Sequence, residues 1–142
     1  MNILAIGAHP DDIEIGCGGT LIKYRQQGHS IFTLVMTDGS AGGDNELRRS
    51  EQMASHGIIG VSKTFWGGYK DTQLPMDKGV ITILEEVIAQ TEPQFIFVNY
   101  LKDTHQDHRN LAKATVSATR YVKNVLFYEV PTTHDFSPSV FV

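Results

Sequence analysis

The sequence predicts an α/β fold, a Rossmann-like and mostly parallel sheet with helices on both faces. Three observations predict it. Runs rich in Val, Ile and Leu alternate with helical patterns, the signature of βαβ units. The runs are nearly continuous in apolar character, as strands covered on both faces require. Two of them empty into segments dense in histidine and aspartate, as expected at the carboxyl edge of such a sheet, where ligands bind.

Asn2 to Ala8 is the first predicted strand, and a helix follows from Gly18 to Gln27, stopped by Gly28 in the usual role of a C′ glycine. Ser30 to Met36 is an apolar strand expected to be central. Thr37 to Gly43 is a loop whose glycines can supply unusual backbone angles. A polar helix is predicted from Asn45 to His56, a short strand at Thr64 to Trp66, and a turn-rich loop from Gly67 to Pro75. Ile81, Leu84, Val87 and Ile88 form one stripe of a helix spanning Val80 to Gln90. Gln94 to Asn99 is the next strand, Asp107 to Val122 the next helix and Val125 to Tyr128 a further strand; Val140 to Val142 looks like the opening of another. No repeat or linker divides residues 1–142, so a single domain is expected.

Composition excludes several classes. Hydrophobic residues make up 41% and charged residues 20%, ordinary for a globular domain. Twelve Lys and Arg against sixteen Asp and Glu give a formal charge of -4, with no basic run to follow a nucleic acid backbone. The one cysteine rules out an internal disulfide and a multi-cysteine zinc site. No apolar run is long enough to span a membrane, and the amino terminus lacks the pattern of a signal peptide, so a cytoplasmic location is expected.

Two clusters carry the chemistry. His9-Pro10-Asp11-Asp12 follows the first strand, and His105-Gln106-Asp107-His108 follows the strand ending at Asn99. His9 and Asp12 are three apart at the start of a turn or helix, and His105 and His108 repeat that spacing, so each pair can share a face. Two imidazoles and a carboxylate are good ligands for zinc, and catalytic zinc sites often use three protein ligands, leaving a position open. His9, Asp12 and His108 make such a set. Asp11, diverging from Asp12, would then act as general base toward water. His105 would stabilise an oxyanion or protonate the leaving amine, with Asp107 keeping it charged. Alone, either cluster also suits a turn or a solvated helix end; together, each after an apolar strand, they point to one divalent-metal site.

The stretch from Ala8 to Glu14 with Gly16-Cys17-Gly18-Gly19-Thr20-Leu21 resembles the first signature of the LmbE-like (PIG-L) zinc-dependent de-N-acetylases. His105 to His108 resembles the second, with Gln106 in place of its usual proline. The resemblance implies a Rossmann-like fold, a zinc ion or another divalent transition metal, and removal of an acetyl group from an N-acetylated amino sugar or glycoconjugate. It implies His9, Asp12 and His108 as ligands, Asp11 as base, and His105 with Asp107 in catalysis. Arg48, in a segment similar to the family's Arg-x-x-Glu helix, would reach substrate hydroxyls or the carbonyl, and Asp71 would grip sugar hydroxyls. Family chains usually continue past Val142, so the carboxyl-terminal part of the fold is expected to be missing; a homo-oligomer is compatible with the family.

Competing readings remain. Adjacent aspartates at a strand end also suit magnesium-dependent phosphoryl transfer, although magnesium prefers oxygen ligands. A domain that holds metal or sugar without turnover fits the short chain. Dinucleotide binding fits poorly, because Gly7-Ala8-His9-Pro10-Asp11-Asp12 lacks the glycine turn and its carboxylates would repel a pyrophosphate. Cys17 reads as a small buried residue. Trp66, Tyr69 and Tyr100 could line a sugar cleft or belong to the core, His134 suits an exposed loop, and His29 and His56 suit helix ends.

Overall fold

Ile3, Leu4, Ala5 and Ile6 are all wholly buried, because the strand that holds them lies in the middle of the sheet. The computed structural model describes residues 1–142. Its elements are β1 (Asn2–Gly7), α1 (Asp12–Gln26), β2 (Ser30–Thr37), α2 (Asn45–Ile59), β3 (Lys63–Tyr69), α3 (Lys78–Thr91), β4 (Phe95–Asn99), α4 (Gln106–Ala118) and β5 (Val125–Tyr128). The five strands pair in parallel in the order β3-β2-β1-β4-β5, so the Rossmann-like expectation holds.

The two-residue period of β1 divides its side chains between two cores. Leu4 and Ile6 join Leu34 and Met36 beneath Val80, Leu84 and Leu111 of α3 and α4. Ile3 and Ala5 join Ile31 and Val35 beneath Ile13, Leu21 and Ile59 of α1 and α2. Aspartates start two of the helices: Asp44 accepts from the Leu47 N–H at 2.8 Å and Asp77 from the Val80 N–H at 3.0 Å, satisfying donors that a helix start leaves open.

Several expectations shift. β1, not β2, is the central strand, although β2 is interior. α1 begins at Asp12 rather than Gly18, and its glycines are helical. Gly16 is there for clearance: a Cβ at this position would lie 2.0 Å from the Tyr128 ring. β3 runs through Gly67 to Tyr69 instead of ending at Trp66, where a Cβ on Gly67 would lie 2.8 Å from the Met36 carbonyl oxygen. α4 ends at Ala118, earlier than expected. Val140 to Val142 is exposed and forms no strand.

Candidate metal centre

The sheet order brings the two clusters together. β1 is flanked by β2 on one side and β4 on the other, with Ile6 paired to Val98, so the chains leaving Gly7 and Asn99 emerge side by side. This is the topological switch point, the usual ligand crevice of an open α/β sheet. The Ala8 N–H donates to Asn99 Oδ1 at 3.2 Å and to Asp12 Oδ2 at 3.1 Å, and the His9 N–H reaches Asp12 Oδ2 at 3.0 Å. Tyr128 ties the crevice floor, its hydroxyl donating to the Ile6 carbonyl at 2.8 Å.

Three ligand atoms converge there. His9 Nδ1 is 3.0 Å from His108 Nε2 and 3.5 Å from Asp12 Oδ2, and His108 Nε2 is 3.2 Å from Asp12 Oδ2. Ligands at 2.0–2.2 Å from a tetrahedral zinc stand about 3.3 Å apart, so the triangle has the right size. The opposite ring nitrogens decide which lone pairs face inward. His9 Nε2 lies 3.1 Å from Asp107 Oδ2, and His108 Nδ1 lies 3.0 Å from Asp103 Oδ2. Asp107 is a hydrogen-bond partner of His9 Nε2 and Asp103 the charge partner of His108 Nδ1, which leaves the other nitrogen of each ring free to ligate. Two imidazole lone pairs and a carboxylate oxygen aimed at one point would repel one another unless a cation or proton lies between them. The donor set therefore fits a divalent transition metal.

The surrounding charges make the same demand. Burial opposes a charge on His9, but its bonds to Asp107 and Asp12, with Asp71 nearby, raise its pKa to about 10. His108 is raised as well, Asp12 and Asp103 outweighing burial. Against the cost of burial, the two imidazoles hold Asp12 well below the usual carboxylate range. The cage is built for positive charge.

Asp11 stands outside the ligand triangle. Its φ is 95°, a left-handed backbone rare for a non-glycine residue, and two contacts hold it. Its N–H donates to Gln52 Oε1 at 2.8 Å, and its carboxylate accepts from Arg48 at 3.0 Å. Burial and the adjacent Asp12 raise its pKa, Arg48 only partly offsetting them, so it is a stronger base than an ordinary aspartate. Arg48 also donates to the Gly39 and Pro10 carbonyls, at 2.6 and 2.7 Å, and so braces two loops while lining the cavity.

His105 and Asp107 are arranged differently from the expectation. Asp107 turns away from the His105 ring, to His9 and to the N–H groups of Thr72 and Leu74, at 2.8 and 3.2 Å. His105 Nδ1 instead accepts the Asp107 N–H at 3.2 Å, capping α4. Burial and the positive charge of its neighbours lower its pKa, and with Nδ1 as an acceptor the proton of the neutral ring sits on Nε2. Asp71 is buried: Oδ2 accepts the Ala41 N–H at 3.0 Å, while Oδ1 lies 3.0 Å from His9 Nε2 without the angle of a hydrogen bond. Asp71, Arg48, His105 and the ligand triangle line one open cavity of about 390 Å³.

Some residues of the site are silent in the sequence. Asp103 is 1% exposed and orients His108. Gln52 and His56, on α2, are buried behind Asp11, where Gln52 Nε2 meets Glu14 and His56 Nδ1 lies 2.8 Å from Thr64 Oγ1. His56, in the last turn of α2, is thus also a member of a buried network. Cys17 is a core residue whose thiol is pushed up by burial. His134 is exposed, as expected.

A five-stranded parallel sheet with a histidine–aspartate cage at its switch point defines an α/β domain with a candidate divalent-metal site. The chain belongs to the PIG-L family, the GlcNAc-PI de-N-acetylases, whose family model matches residues 4–119. It is 37% identical to a protein named as the uncharacterized deacetylase YaiS of Escherichia coli K12, over 98% of this chain and 80% of the relative. It is 32% identical to the diacetylchitobiose deacetylase of Thermococcus kodakarensis, over 84% of this chain but 49% of that enzyme. The structure of a conserved protein from Thermus thermophilus, TT1542, superposes with a TM-score of 0.88 at 28% identity, covering 97% of this chain and 69% of that one. The domain thus spans most of some relatives and about half of others.

Proposed function

We propose that this domain is a metal-dependent hydrolase that removes an acetyl group from an N-acetylated amino sugar or glycoconjugate. One observation carries the reading: three ligand atoms 3.0–3.5 Å apart, with both imidazoles oriented by carboxylates behind them. The two nitrogen donors favour a borderline transition metal such as zinc over magnesium. Bound by His9, Asp12 and His108, zinc would polarise the amide carbonyl and lower the pKa of water toward about 7.

The chain's own groups then have distinct tasks. Asp11 Oδ takes a proton from the attacking water, its basicity raised by Asp12 and its position fixed by Arg48 and Gln52. His105 Nε2–H donates to the carbonyl oxygen as negative charge grows there. As the water oxygen bonds to the carbonyl carbon, the proton held by Asp11 passes to the departing nitrogen and the C–N bond breaks; the second water proton goes from the new carboxyl group to the amine, so acetate and an ammonium group leave. Arg48 and Asp71, at the cavity wall, would meet the hydroxyl groups of the sugar.

The test is acetate release from N-acetylglucosamine and its conjugates by zinc-loaded protein. Asp11→Asn is expected to lower kcat about 10²–10⁴-fold with metal content unchanged. Full activity in Asp11→Asn would overturn the role of the base. Absence of acetate release from every acetamido sugar, with metal bound, would overturn the function.

A further inference from the structure

Asp11 has little to pack against. Its side chain is 60% exposed and borders both the metal cavity and a second recess of about 190 Å³. A carboxylate with that much open space is aimed by hydrogen bonds and backbone conformation rather than by packing. The conformation is left-handed, which a non-glycine residue keeps only where its surroundings impose it. The Asp11 side chain caps no N–H of α1, so the restraint comes from elsewhere.

It comes from a buried polar network between α1, α2 and the sheet, none of whose side chains lines the metal cavity. The Asp11 N–H donates to Gln52 Oε1 at 2.8 Å. An N–H only donates, so the oxygen of the Gln52 amide must face Asp11 and its Nε2 the other way. There Nε2 donates to Glu14 Oε1 and to His56 Nε2. That oxygen and nitrogen are 3.3 Å apart, and the one amide serves both. Ser55 Oγ adds a second bond to Glu14 Oε1 at 3.0 Å. With Nε2 of His56 accepting, the ring proton sits on Nδ1, 2.8 Å from Thr64 Oγ1 on β3. The donations therefore run in one sense, from the Asp11 N–H through Gln52 and His56 to Thr64.

Gln52 and His56 are 3% and 2% exposed. Polar side chains buried this deeply cost stability unless they are fully bonded, and when fully bonded they rigidify. Apolar residues would join α2 to α1 as firmly, but only an acceptor at position 52 can hold the Asp11 N–H.

We propose that Gln52 and Glu14 are positioning residues for the base. Gln52 holds the Asp11 backbone in its left-handed turn, and Glu14, with His56 beside it, fixes which way the Gln52 amide faces. Neither touches substrate. The inference rests on the reading of Asp11 as base and deepens it: the rate of proton transfer depends on this network, while affinity for metal and sugar does not.

The experiment compares the zinc-loaded full chain with Asp11→Asn, Gln52→Met, Gln52→Glu and the exchanged pair Glu14→Gln/Gln52→Glu. It measures kcat and KM for acetate release from N-acetylglucosamine and its conjugates, bound zinc, and hydrogen exchange of the Asp11 amide by NMR. Gln52→Met keeps the volume but cannot hold the N–H. It is expected to lower kcat about 10–100-fold with KM and bound zinc unchanged. Exchange at the Asp11 amide is expected to quicken about tenfold. Gln52→Glu keeps an acceptor for Asp11 but sets a carboxylate against Glu14, so kcat is expected to fall here too. The exchanged pair restores a donor and an acceptor between the helices and is expected to recover kcat about tenfold over Gln52→Glu. A role confined to joining α1 and α2 would lower stability without separating kcat from KM. Unchanged kcat in Gln52→Met, a parallel loss of zinc, or an exchanged pair no better than Gln52→Glu would overturn the proposal. Faster exchange at Asp11 in Gln52→Met, with no acetate released by wild type, would keep the brace and sink the hydrolase. Normal exchange and kcat in Gln52→Met beside an inactive Asp11→Asn would do the reverse.

Discussion

The His108 ring is held by a residue that contributes nothing to the ligand triangle. Asp103 Oδ2 lies 3.0 Å from His108 Nδ1 as its charge partner, and the carboxylate is fixed in turn by the His105 N–H at 2.8 Å and the Thr133 hydroxyl at 3.0 Å. Asp103→Asn keeps the shape but removes the charge that makes Nε2 a strong donor. Metal affinity is expected to fall about 10–100-fold, measured by competition with a chromophoric chelator. Unchanged affinity would show that Asp103 only shapes the loop. The candidate ligands stand out in the sequence because their residue types and spacing are unusual after an apolar strand. Asp103 does not: an aspartate two residues before His105 looks like any turn former. Gln52 and His56 were hidden for another reason, since local pattern does not say which polar face of α2 will turn toward Asp11.

At the scale of the element, glycines misled the reading of α1. The pattern starts the helix only at Gly18 and leaves Gly16 outside it, but the demand at Gly16 comes from Tyr128, over a hundred residues away in sequence. Gly16→Ala is expected to cost about 1–3 kcal/mol through overpacking, read from the urea midpoint. An unchanged midpoint would mean that the Tyr128 ring yields freely. β3 runs past its predicted end at Trp66 for the same kind of reason, because clearance of Gly67 against Met36 is a tertiary fact. The β2 and β3 ends are joined through Asp38, whose carboxylate is held well below its usual range by Lys70 and by the backbone donors around it. A depressed carboxylate contributes stability above its unfolded pKa and loses it as pH falls through that value toward the folded one. Asp38→Asn is therefore expected to destabilise by about 1 kcal/mol at neutral pH, the difference fading below about pH 4 in denaturation series. A constant difference across that range would assign the effect to shape rather than charge.

For the whole molecule, the alternation of apolar runs and helical patterns sufficed for the fold class. Strand order was less visible, because β1 and β2 are both apolar enough to be central and only the direction of the crossovers separates them. A metal that binds the folded cage and not the open chain stabilises the entire domain. At a hundred times its Kd the gain is about 2.7 kcal/mol. Zinc is thus expected to raise Tm by roughly 5–10 °C, reversibly with a chelator, in thermal scans. No shift on zinc addition would count against the cage as a resident metal centre. The pairing of β1 with β4 has a further consequence for biosynthesis. His9 and His108 are 99 positions apart. At about 5–20 residues per second, the emerging polypeptide carries an unfinished half-site for roughly 5–20 s. During that interval β1 has β2 as a neighbour while its other edge stays open, so assembly of the centre is timed by translation itself.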